Sequence, residues 1–328
     1  MEQTNAVFMD LRTDFGFKYL FGTPKHAHVL MRFLNALFEG KMVITEVNFH
    51  DKEMLPPDPQ GKRTIYDIYC TTSEGHHFII EMQKADTPDF GHRVIFYTSA
   101  AIVAQGRRGM TYAINPVYSI ILTDFDLKWF SRRLIHEVLF MERSSGEVYT
   151  EDVKMMFISL RQVKKEWSEC STELERLLYL IKNIHTMDKN NELFRSGDYS
   201  DVFDAAEIVH LAEEERVEYS KSYWKMKDDE AALEYAKQQA IAEGLAEGRS
   251  QGRAEGRAEG RAEGRAEGRA EGRAEGRAEG RAEGRAEGMK KGMEKGILQT
   301  ALKLLKAGVP KELICQTTGL TPEQLSLG

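Results

Sequence analysis

The sequence predicts a mixed α/β fold followed by a mostly helical C-terminal region, and three observations carry that prediction. Residues 26–38 place Val29, Leu30, Phe33, Leu34, Leu37 and Phe38 at helical spacing, the pattern of an amphipathic helix. Apolar, β-branched and aromatic runs over residues 63–71 and 77–83 flank the polar turn Ser73-Glu74-Gly75, which reads as a β-hairpin. From Ser171 onward, Leu174, Leu177, Leu178 and Ile181, then Ala205, Ile208, Val209 and Ala212, recur at helical intervals.

Taken in order, the first helix stops at Gly40, and residues 42–49 read as a strand. The breaker-rich segment Pro56-Pro57-Asp58-Pro59-Gln60-Gly61 is a loop that could border a cleft. The hairpin follows. A three-residue tip sets its register: Thr72 meets His76, Cys70 meets Phe78, Ile68 meets Ile80, and Asp67 meets Glu81. Strand alternation then puts Tyr66, Ile68, Cys70, Phe78, Ile80 and Met82 on a core-facing side. Asp67, Glu81 and Gln83 share the other side with Ile65, Tyr69 and Ile79. Thr87-Pro88 predicts a helix start, running to about Gln105, with Arg93 and Tyr97 four apart on one face. Residues 117–123 form an apolar run of strand length that can pair parallel after this helix. Residues 134–140 and 155–160 read as extensions of the sheet.

Opposed carboxylates at positions 67 and 81 have Cβ atoms roughly 5 Å apart, and like charges so placed destabilise a hairpin unless something intervenes. A divalent cation would intervene. The competing reading is an ordinary solvated strand face. His76-His77 cannot chelate one ion together, because adjacent strand residues point to opposite faces.

Asp67 followed by Glu81-Met82-Gln83 resembles the D...E-x-K signature of PD-(D/E)XK phosphodiesterases, in the E-x-Q form of the Rpn family of recombination-promoting nucleases and transposase-like proteins. Asp14-Phe15-Gly16-Phe17-Lys18 with Leu20-Phe21-Gly22, then Phe33-Leu34-Asn35 with Leu37, look like the opening helical region of that family. Arg93, Tyr97, Tyr112 and Pro116-Val117 match its following helix and strand. The resemblance covers about the first half of the chain. It implies a restriction-endonuclease-like core (helix, three strands, helix, strand) and a metal-dependent DNA endonuclease. It further implies Mg²⁺, with Mn²⁺ as a substitute, held by Asp67, Glu81 and the Met82 carbonyl, and a role in recombination, mobile DNA or phage defence. Gln83 stands where the wider superfamily has lysine and cannot supply its charge, so the expected catalytic set is Asp67, Glu81 and Gln83 with Lys18 as the substitute cation. Lys84 alternates to the apolar side. The expected DNA contacts are Lys62, Arg63, Arg93 and Tyr97, with Arg107, Arg108 and Lys25 as further candidates for a basic strip. A nuclease fold retained as a non-catalytic nucleic-acid-binding or protein-interaction module is the alternative.

The net charge of −7 argues against a protein that coats nucleic acid non-specifically, and leaves room only for a local basic strip. Cys70, Cys170 and Cys315 are widely separated without paired metal-ligand spacing, which fits a reducing cytoplasm. Neither a signal peptide nor an apolar run of about 20 residues is present, so no membrane association is expected.

The tail repeats Arg-Ala-Glu-Gly from Arg253 to Gly288. Each glycine costs about 1 kcal/mol of helix stability against alanine. A four-residue period also stacks like charges at i,i+4. The expectation is a helix-prone but marginal spacer that could order by self-association, or a repeat expanded at the DNA level and tolerated. Beyond it, helices at 297–306 and after Pro310, with Gly308 and Gly319 as stops, form a small hairpin. The expected organisation is a nuclease-like domain at 1–165, a helical region at 166–248 that joins copies of the chain into a homo-oligomer, the spacer at 249–296, and the hairpin at 297–328.

Overall fold

The structure is a computed structural model that describes residues 6–54, 64–106, 111–190, 193 and 197–326. Lys62, Arg63, Arg107, Arg108 and the loop Pro56 to Gly61 lie outside the described residues, so their expected roles are not placed by it.

Helix α1, Asp14–Phe21, starts where the Thr13 hydroxyl accepts the Gly16 N–H at 3.0 Å, a side-chain cap for an otherwise orphan donor. Gly16 is required by close approach, since a Cβ there would lie 2.5 Å from the Asp10 carbonyl oxygen. Helix α2, Ala27–Leu37, buries Val29, Leu30, Phe33 and Leu34, as its periodicity predicts. The strands are β1 Val47–Phe49, β2 Glu53–Met54, β3 Thr64–Ile65, β4 Ile68–Thr72, β5 His77–Gln83, β6 Val117–Thr123, β7 Ile135–Met141 and β8 Val148–Ser159. Helix α3, Phe90–Val103, joins β5 to β6.

Six strands form one mixed sheet in the order β1-β4-β5-β6-β8-β7, while β2 and β3 make a separate pair. The hairpin has the predicted register, with Ile68 opposite Ile80 and Cys70 opposite Phe78, and Gly75 at its tip takes φ of 84°. Strand β6 lies parallel to both β5 and β8, and all its residues are buried. That explains its uninterrupted apolar run, since a central strand is covered on both faces. The order helix, three strands, helix, strand is therefore present, and β7 and β8 extend the sheet.

One face of the sheet, with Ile68, Cys70, Phe78, Ile80, Met82, Ile120, Leu122 and Ile158, packs into the main core against α1, α2, α4 (Glu173–Asn183) and α5 (Ser200–Ala206). Helix α3 covers the other face through Val94 and Phe90 near Ile121 and Phe157, and Ala101 near Ile79 and Val117. Tyr66 corrects the simple alternation. It packs with Tyr69, Ile79 and Ala101 on the α3 side, not with Ile68 in the main core. The chain bends at Asp67 between β3 and β4, and a bend resets which way successive side chains point.

The chain divides into two compact units, Met1–Leu233 and Glu234–Gly328. Leu177, Leu178, Leu180 and Ile181 of α4 are buried in the same core as the sheet. Helix α6, Glu213–Lys306, begins in the first unit, where Tyr219 and Met226 are buried and the Tyr219 hydroxyl accepts the Asp10 N–H at 2.9 Å. In the second unit the Arg-Ala-Glu-Gly tract is helical and fully exposed, and a Cβ built on any of its glycines meets nothing within 4 Å. After it, α7 (Lys311–Thr318) and α8 (Pro322–Ser326) close a miniature core of Ala301, Ile314 and Leu325. Gly308 and Gly319 take the positive φ values that end helices. Among the described residues no helix is long and apolar enough to cross a membrane.

Candidate active site

Asp67 sits one step beyond the last paired rung of β4, opposite Glu81 of β5. The two residues interlock. The Asp67 N–H donates to Glu81 Oε1 at 3.1 Å, and the Met82 N–H donates to Asp67 Oδ2 at 3.0 Å. Because a strand residue directs its N–H and C=O to the same edge, the Met82 carbonyl also faces the Asp67 side. The neighbouring Gln83 carbonyl confirms the alternation, accepting from the Asp124 N–H at 2.9 Å on the β6 side.

Glu81 is only 6 % exposed. Burial, and after it the charge of Asp67, push its carboxyl up to about 8. Asp67 is raised as well, by burial first, although Lys18 and the Met82 N–H oppose the rise. Lys18 reaches in from α1, its Nζ 3.2 Å from Asp67 Oδ1 and 2.5 Å from Asp14 Oδ1. Burial works against its ammonium, but the charge of Asp67 and the bond to Asp14 hold its pKa above the usual lysine value. This pair is expensive to leave ionised and close together, and only partly neutralised by the protein itself.

The donor set suits a hard divalent cation: two desolvated carboxylates and a backbone carbonyl, all oxygen. Among the described residues no group of three His, Cys, Asp or Glu side chains could hold a metal, so such an ion would keep several water ligands, as Mg²⁺ does.

Gln83 follows on the same face. Its Nε2 donates to Glu81 Oε2 at 3.1 Å, and its Oε1 accepts from Arg93 of α3. Arg93 and Tyr97 share the α3 face that lines a narrow cavity with Glu81, Gln83 and Ser119. Lys84 points the other way, to Glu230 Oε1 at 3.0 Å and Asp124 Oδ2 at 3.6 Å. The structure therefore brings Lys18, Asp67, Glu81, Met82, Gln83, Arg93 and Tyr97 together.

One neighbour was not anticipated. Lys52 stands within range of Lys18 and Asp67, its pKa lowered by burial and then by the Lys18 charge. It gets there because β2 pairs with β3 and the Tyr66 N–H donates to the Lys52 carbonyl at 2.8 Å; a two-residue strand gives no periodicity to read. Asp14, which anchors Lys18, belongs to the Asp14-to-Lys18 stretch on which the family resemblance rests.

No curated protein and no solved structure matches the chain at a significant level. Residues 11–236, which contain the carboxylate pair, Lys18, Gln83 and Arg93, match the family model described as PD-(D/E)XK nuclease family transposase. The match spans well over half the chain and the D...E-x-Q pair occupies the expected hairpin, so this protein belongs to the PD-(D/E)XK nuclease family transposases.

Proposed function

We propose that the protein is a metal-dependent DNA endonuclease that hydrolyses phosphodiester bonds at the Asp67–Glu81 pair. The observation that carries this reading is the interlocked, desolvated carboxylate pair with a backbone carbonyl on the same side, an all-oxygen donor set where a divalent cation can take the place of the proton that burial and Asp67 otherwise keep on Glu81. Asp67, Glu81 and the Met82 carbonyl would hold Mg²⁺, or Mn²⁺ in its place. Such an ion polarises the phosphate and lowers the pKa of a bound water.

The side chains do the rest. Asp67 is aimed by the Met82 N–H, and Glu81 by the Asp67 N–H. Lys18 presents an ammonium beside Asp67, where it can donate to a non-bridging phosphate oxygen and balance charge that develops there. Gln83 keeps one amide hydrogen beyond its bond to Glu81, with which it can orient an entering water. Lys62, Arg63 and Tyr97 supply contacts to the strand being cut. The work would lie in recombination, mobile DNA or phage defence, in the cytoplasm, and helices within 207–248 would join copies of the chain so that two sites act on two strands.

A second reading has one specific observation in its favour, the amide at position 83 where the superfamily lysine would stand. On that reading the fold binds nucleic acid or another protein without cutting. Incubating the purified full chain with supercoiled plasmid in Mg²⁺, Mn²⁺ or EDTA separates the two. Nicking that requires metal supports the nuclease; folded protein that shifts DNA in a gel yet cuts with no metal supports the binding module. Joined products would mark strand transfer in addition to cleavage.

A further inference from the structure

The cation nearest Gln83 lies ten residues later, on α3. Arg93 donates to Gln83 Oε1, and Gln83 Nε2 donates to Glu81 Oε2 at 3.1 Å. The orientation of the amide is decided by the guanidinium, which can only donate and so takes the amide oxygen, leaving the amide nitrogen for Glu81. Reversing the amide would set its N–H groups against the guanidinium and lose the Arg93 bond. The guanidinium is steadied from below by the Phe90 ring, 6.0 Å from its centroid, at the reach of a cation–π contact. Both residues also line the cavity that contains Glu81. A chain of charge and donor thus runs from α3 to the carboxylate, through an amide that is polarised by the cation behind it.

Resting on the nuclease reading of this site, we propose that Arg93 is a positioning residue: it clamps Gln83 with its amide nitrogen on Glu81, and the two together replace a single lysine. The guanidinium carries the charge and the amide carries the donor. Arg93 is then not a DNA contact, as its position on the helix face first suggests, and a lysine at position 83 is unfavourable for as long as Arg93 remains, since an ammonium would replace the carbonyl oxygen that accepts from the guanidinium.

Charge transposition tests this in the full-length protein. Arg93→Gln should lower kcat for plasmid nicking by about 10- to 100-fold, the size of a lost hydrogen bond to a charged group, with KM changed less than about twofold. Gln83→Lys alone should also lower kcat, whereas Gln83→Lys combined with Arg93→Gln should recover most of the activity. A residue that merely supports α3 would not be rescued by a lysine placed on β5. Two kinetic results overturn the proposal: a rise in KM with kcat intact in Arg93→Gln, which marks a DNA contact, or a double variant no better than Arg93→Gln. The Gln83 side-chain amide in ¹⁵N-labelled protein reads the clamp without cleavage. Two resolved, slowly exchanging N–H signals that are lost in Arg93→Gln and kept in Arg93→Lys support it; signals indifferent to Arg93 overturn it. If the wild type cuts with no metal, the nuclease reading fails on its own, and the amide signals still decide whether Arg93 positions Gln83.

Discussion

Replacing Glu81 by glutamine should make the metal-free protein more stable, by a margin that grows with pH. Burial and the adjacent Asp67 raise the Glu81 carboxyl from 4.5 to about 8. The folded state therefore holds a proton that the unfolded chain has already released, and stability falls as pH rises between those two values. Each tenfold change in proton affinity corresponds to about 1.4 kcal/mol, so the interval sets a ceiling of about 5 kcal/mol. Relaxation of the site, and the nearby charges of Lys18 and Arg93, reduce the expected gain to about 2–4 kcal/mol for Glu81→Gln at about pH 9, with almost none at about pH 5. Glutamine keeps an acceptor for the Asp67 N–H and adds no charge. Denaturant unfolding of both proteins in EDTA across this range measures the gain. The difference curve isolates the Asp67–Glu81 pair, because the depressed histidines His26, His77 and His185, which favour the folded state as pH rises, contribute equally to both proteins. Mg²⁺ or Mn²⁺ should reverse the order at alkaline pH, stabilising the wild type alone. Parallel stability curves for the two proteins would refute the claim that Glu81 is held at a cost.

Further outcomes follow from the packing. Gly16→Ala should destabilise the protein by about 1–3 kcal/mol or more in thermal unfolding, because the added methyl group meets the Asp10 backbone oxygen and not a movable side chain. Changing several tract glycines, for example Gly264, Gly268 and Gly272, to alanine should raise the thermal midpoint of the helical circular-dichroism signal, at about 1 kcal/mol of propensity per site, since nothing stands where the methyl groups would go. Deleting four Arg-Ala-Glu-Gly copies should leave the denaturation of the first unit and its DNA cleavage unchanged; loss of either would give the tract a role beyond spacing.

The carboxylate pair was legible because hairpin register depends on local alternation and a short turn, both written in consecutive residues. The cover over β6 was legible from its unbroken apolar run. Tyr66 was misplaced because alternation fails wherever a strand breaks, and the bend at Asp67 lies within what reads as one continuous strand. The Arg93–Gln83 bond was illegible for a different reason: helical spacing puts Arg93 and Tyr97 on one face, but only the packing of α3 on the sheet decides what that face meets. Helix α4 likewise showed its apolar stripe without showing that the stripe joins the sheet's own core, whereas of the second stripe only Ala205 lies in α5, because the helix ends at Ala206 and Val209 and Ala212 are exposed beyond it. The Arg-Ala-Glu-Gly tract is helical where propensity predicted only a marginal helix.

The most direct test of the central claim is the rate of plasmid nicking in Mn²⁺ by the wild type beside Asp67→Asn and Glu81→Gln, which keep the shape of each side chain and remove its charge. The account predicts metal-dependent nicking in the wild type, lost by about a thousandfold or more in both variants. Equal nicking by the wild type and both variants would place the chemistry elsewhere and contradict it.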